Sequence, residues 1–167
     1  MGFNSAMILF LFLLALAGDV MAFTLSSDAF ENGKRIPKKF TCQGENISPQ
    51  LSWDAVDGAK SYVLLVDDPD APKGTVDHWV LFNISPSTNK IDEGAAPEGA
   101  LQGLNGSGEN KYKGPCPPTG THRYFFKLYA LNRTLDLNTN AKKVEVEITM
   151  KPYIISQTEL IGTYSKE

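Results

Sequence analysis

A chain of 167 residues with 16 Lys and Arg against 19 Asp and Glu, formal net charge -3, has the length of one domain around one core. Its faint acidity and scattered lysines exclude the broad basic face that a nucleic-acid backbone demands. Only two histidines and two cysteines are present, so a site built on those side chains has few possible members.

From the N-terminus, Ala6 to Gly18 is apolar throughout and the run stops at Asp19. It is too short to cross a bilayer core of about 30 Å as a helix. Although no Lys or Arg precedes it, it reads as the hydrophobic region of a signal peptide, with Val20 and Ala22 three and one residues before a cut ahead of Phe23. Residues 1–22 would be removed and residues 23–167 would form the domain, its net charge moving from -3 to -2 with the loss of Asp19. No apolar membrane span remains after such a cut, and the expected location is secreted, periplasmic or otherwise extracytoplasmic.

Phe23 to Ser26 is a short strand candidate, Asn32-Gly33 marks a turn, and Asn46 to Trp53 is extended because Pro49 forbids a helix interior. Ser61 to Asp68 is a continuous aliphatic run, as expected of a central strand covered on both faces, and it stops at Asp68-Pro69. His78 to Ile84 and Arg123 to Leu131 are two more strands of this kind. Asp92 to Lys113, rich in Gly, Ala, Asn and Ser, has no sustained period and reads as a long surface loop. Lys143 to Met150 alternates polar with apolar, which by period is a strand, while Gln157 to Tyr164 is too short for pattern to decide. Many strands with turn punctuation predict a mostly β, antiparallel sandwich rather than βαβ units.

Two constrained turns each sit beside one histidine. Asp68-Pro69-Asp70-Ala71-Pro72, ahead of His78, projects two carboxylates in set directions because proline restricts both itself and the residue before it. Standing alone it would be a solvated acidic turn. Gly114 to Gly120 has three prolines and two glycines in seven residues, a composition that holds a bent backbone open. Backbone N–H groups freed in such a loop can form an anion-binding concavity, to which His122 can donate. Arg123 lies in an apolar strand, and if its side chain points inward it needs a carboxylate, Asp70 or Asp68. Cys42 and Cys116 are either a disulfide or two buried thiols. Neither C-x-x-C nor H-x-x-x-H spacing occurs, and no metal or other cofactor is expected.

Taken together, Thr41-Cys42, Glu45 to Trp53, Asp68-Pro69-Asp70-Ala71-Pro72, His78-Trp79, Asn105-Gly106, Tyr112, Gly114 to Pro118, His122-Arg123-Tyr124, Leu128 to Leu131 and Glu159 to Tyr164 resemble the phosphatidylethanolamine-binding protein family. Their order and spacing are closest to its prokaryotic, Raf-kinase-inhibitor-like branch. The resemblance implies two antiparallel sheets with a few short helices and a small anion pocket at one end. The pocket would be lined by Asp68, His78, Gly114, Pro115, Cys116, Pro117, His122 and Tyr124, with Asp70 and Arg123 structural. It also implies a helix where Val144 to Met150 alternates, capped by Asn138 or Asn140.

Three functions compete. The first is a binding module for a phosphate-containing small molecule or phospholipid head group, without catalysis. A second is a protein-interaction or inhibitor domain acting on a kinase or protease through the same pocket, although an exported chain would never meet a cytosolic kinase. A hydrolase, with Asp68 orienting a histidine, lacks any serine in a nucleophile-elbow pattern. Asn46, Asn83, Asn105 and Asn132 begin N-x-[ST] triplets, of which Asn46, close to Pro49, and Asn83, within a predicted strand, are poor acceptors.

Overall fold

The computed structural model describes residues 23–167, and the predicted signal peptide lies outside the described residues. Strands β1 (Leu25–Ser26), β2 (Leu51–Trp53) and β5 (Lys90–Ile91) form a small antiparallel sheet in the order β1-β2-β5. Strands β3 (Ser61–Asp68), β4 (Val76–Ile84), β6 (Leu101–Gln102), β7 (His122–Leu131) and β8 (Ile154–Tyr164) form a larger one in the order β6-β4-β3-β7-β8. The three long apolar runs of the sequence thus become its three central strands.

Every residue of β3 is buried, and its two faces feed different cores. Tyr62, Leu64 and Val66 face the small sheet, where they join Trp53, Phe126, Leu128 and Leu160. Val63 and Leu65 face the other way and pack with Val80, Phe82, Val146 and Met150 beneath the only helix longer than a single turn among the described residues, α1 (Lys143–Met150). Alternation of side chains across the pleat gives a central strand two apolar faces, so a continuous aliphatic run is its signature.

The strand period of Lys143–Met150 is overruled by packing. In the helix, Val146 and Met150 fall four apart on one face and are buried, while Val144 and Ile148 are 55% and 70% exposed. The expected cap is corrected as well. Neither Asn138 nor Asn140 caps α1; the Glu145 carboxylate reaches back to accept the Lys142 N–H at 2.8 Å, and Asn138 Oδ1 instead accepts the Asn140 N–H in the preceding turn. Gln157 to Tyr164, left open by pattern, lies in β8.

Cys42 and Cys116 are joined in a disulfide with Cα atoms 5.4 Å apart across 74 residues of sequence. Closing a loop of that size removes about 4 kcal/mol of unfolded-chain entropy in the chain-entropy picture.

Candidate functional site

Strand ends and one bulge assemble the site. Asp68 is the last residue of β3 and His122 the first of β7, its immediate neighbour in the sheet. Between β3 and β4 the pairing steps from Val66↔Trp79 to Asp67↔Asp77, which leaves His78 as the extra residue of a β-bulge. A bulge puts two consecutive side chains on one side of a sheet, and here the His78 ring packs edge-on to Tyr124 at 5.2 Å while Trp79 packs edge-on to Tyr112 at 5.5 Å. His78 is then tied twice to the loop beyond β6: its carbonyl accepts the Lys113 N–H at 2.9 Å, and its Nδ1 meets the Lys113 carbonyl at 2.5 Å.

The hydrogen bonds determine what the rings offer. A carbonyl can only accept, so Nδ1 of His78 carries its proton. His122 Nδ1 lies 2.7 Å from Asp68 Oδ2, and the other Asp68 oxygen accepts the Asp70 N–H at 2.8 Å. Both Asp68 oxygens are thus engaged, one in orienting His122 and the other in shaping the corner. Each ring's remaining nitrogen, Nε2, has no partner among the described residues and is not sealed from solvent by them. Burial is the main influence on His78 and lowers its pKa, so a neutral ring presents a lone pair rather than a proton. Below the floor, the Tyr124 hydroxyl is buried beside Asp68 without a well-formed hydrogen bond, and burial first, then the Asp68 charge, pushes its pKa up.

Above these groups is an open cavity of about 430 Å³. Asp68, His78 and His122 line its floor, Ala71, Pro72, Val76 and Pro118 its apolar rim, with Lys73, Lys113 and Cys116 between. Of the pocket residues expected from sequence, it joins Asp68, His78, Cys116 and His122. Gly114, Pro115 and Pro117 are buried behind the wall and Tyr124 beneath the floor, and none of the four lines the cavity. Not every backbone donor of the loop is free for an anion. In 114–118 only Gly114 and Cys116 have an N–H, and that of Gly114 is spent on Asn46 Oδ1 at 2.8 Å. Lys73 and Lys113, the cavity's cations, of which Lys113 donates through Nζ to Ser107 Oγ, belong to no motif of the sequence, where their sole signal is adjacency to the two turns.

Arg123 does not point inward. Alternation along β7 sends it to the opposite side from His122 and Tyr124, where its half-exposed guanidinium grips Asp70 through Nε at 2.9 Å and Nη2 at 2.8 Å, and its backbone N–H donates to the same carboxylate. This clamp, its side-chain hydrogen bonds above all, holds the Asp70 pKa down at about 2. Among the described residues, no group of three or more His, Cys, Asp and Glu side chains is placed to hold a metal ion, and no helix is long and apolar enough to cross a membrane. The four N-x-[ST] asparagines divide as well. Asn83 clamps the Leu135 backbone, Asn105 is buried in its own turn, and Asn46 supports Gly114, whereas Asn132 is exposed.

The family model described as phosphatidylethanolamine-binding protein matches residues 26–165. The chain belongs to the phosphatidylethanolamine-binding protein family. Among its relatives in that family is a UPF0098 protein of Methanothermobacter thermautotrophicus, 49% identical over 148 residues, covering 85% of this chain and 98% of the relative. The crystal structure of a phosphatidylethanolamine-binding protein homologue, CT736, from Chlamydia trachomatis superposes with a TM-score of 0.84 at 45% identity, covering 87% of this chain and 99% of the other. Escherichia coli YbcL, described as a member of the mammalian phosphatidylethanolamine-binding protein family, gives 0.82 at 30% identity with the same two coverages. The fold and family expected from sequence are thereby shown.

Proposed function

We propose that the cavity binds, without chemical turnover, a phosphate-type anion or phospholipid head group in an exported protein. The observation that carries this reading is the pair of imidazoles whose Nε2 atoms have no partner among the described residues at the floor of one cavity, with two lysines on its wall. A phosphate that brings its own proton, or a head group that brings an ammonium, satisfies a neutral Nε2 as donor, and lysine supplies the charge. The apolar rim suits a substituent beyond the anion. Absence of catalysis is supported by the lining itself: it holds no Ser or Thr, and its one cysteine is consumed in the disulfide. Export is supported by the apolar run at Ala6 to Gly18 and by a disulfide, which belongs in an oxidising compartment.

Calorimetric titration of inorganic phosphate and phosphoethanolamine tests the site. His122→Ala should weaken both at least tenfold; equal heats for protein and variant would remove the site. Protonating the His78 Nε2 converts an acceptor into a donor for the anion, so affinity should rise as pH is lowered. Because burial lowers the His78 pKa, its contribution comes below the ordinary histidine value of about 6.5 and fades as pH rises through that lowered value.

A further inference from the structure

The wall of the cavity is held differently from its floor. Residues 114–118 belong to no strand, and Pro115, Pro117 and Pro118 have no N–H with which to join one. Their two ordered backbone hydrogen bonds, Gly114 N–H to Asn46 Oδ1 at 2.8 Å and Cys42 N–H to the Pro115 carbonyl at 3.1 Å, both run to the turn that carries Cys42. The third tie to that turn is the covalent Cys42–Cys116 bond, and Cys116 itself lines the cavity. Both cysteines are exposed, so a small reductant reaches the bond without prior unfolding.

We infer that the Cys42–Cys116 disulfide is a redox latch on the cavity, whose reduction loosens the wall and weakens anion binding. This rests on the reading of the cavity as an anion site. The step is an exchange with a dithiol: the S–S bond of the protein breaks, two electrons and two protons pass to the two cysteine sulfurs, and the dithiol closes into its own disulfide. With the bond open, only the two hydrogen bonds at Gly114 and Pro115 tie the wall to that turn, and neither of them holds Cys116 itself. The floor groups Asp68, His78 and His122 sit on strands and stay in place, so reduction changes the shape of the site rather than the fold.

The test compares the purified chain with and without excess dithiothreitol, reading phosphate and phosphoethanolamine affinity by calorimetry and backbone amide exchange by mass spectrometry. Reduction should raise Kd at least tenfold and speed exchange at Gly114 and Cys42, whose N–H groups tie the wall to the neighbouring turn, leaving β3 and β7 unchanged; Cys42→Ser should do the same at Gly114 without reductant. Equal affinity and equal exchange in both redox states overturn the latch while leaving the anion site standing. Faster exchange throughout the sheet also overturns it, since the bond would then be a general staple. Should neither state bind phosphate, the functional reading fails, and exchange alone decides the latch: local acceleration at the wall sustains it, unchanged protection there overturns it.

Discussion

The two proline-rich corners that meet at the cavity solve one mechanical problem in opposite ways. The 68–72 corner is held through its own carboxylates: Asp68 accepts the Asp70 N–H, Asp70 grips Arg123 of β7 through side chain and backbone, and all of these residues lie at or beside strand ends. The 114–118 wall is held from outside, by Asn46, by the Cys42 N–H and by a disulfide. Proline explains the contrast. Two prolines in the five residues of the first corner leave the Asp70 N–H between them to organise around a carboxylate, whereas three in the five residues of the second remove most of the donors by which a segment organises itself, so the restraint must come from elsewhere.

Three substitutions sharpen this comparison. The largest effect is expected at the wall for Gly114→Ala, whose Cβ would lie 2.3 Å from the Phe40 carbonyl oxygen and 2.9 Å from Thr41 Cα. Backbone atoms cannot yield as a flexible side chain can, and a loss of about 2–3 kcal/mol in denaturant unfolding is expected; a loss under about 0.5 kcal/mol would show the wall to be adaptable. Asn46→Ala leaves the buried Gly114 N–H without an acceptor and should cost about 1–2 kcal/mol in the same measurement. A neutral result would mean that the disulfide alone bears the wall.

The smallest effect belongs to the carboxylate-held corner. Folding lowers the Asp70 pKa to about 2, so its contribution to stability is complete above the unfolded value of about 3.9 and disappears as pH falls through about 2. Asp70→Asn should therefore be less stable than the parent chain at pH 5, by a modest margin because the pair is largely solvated, and the gap should close between about pH 4 and 2. A gap that persisted unchanged to pH 2 would show that the carboxylate charge is not what holds the corner.

Much of the architecture is legible in the order of the residues. The long, mostly apolar stretches within Ser61 to Asp68, His78 to Ile84 and Arg123 to Leu131 announce central strands, because a strand covered on both faces can carry apolar residues at successive positions. The motif blocks indicate the family and set His78, His122 and Asp68 apart. Less legible is the direction of side chains. Arg123 follows the strict alternation of its strand and turns outward, while His78 escapes alternation through a bulge whose extra residue can be counted only once two strands are paired.

The linear chain by itself determined the mostly β class, the family and the two stiff corners, since these depend on composition and local torsional restriction. Only tertiary structure decided that Lys143–Met150 is a helix, that the two cysteines bond, and that the two imidazoles share a cavity while Gly114 and Tyr124 stand behind it. Those outcomes depend on which distant surfaces meet: Val146 and Met150 gain a core as a helix that a strand would deny them, and residues 74 apart can bond only after the sheets have brought them within reach.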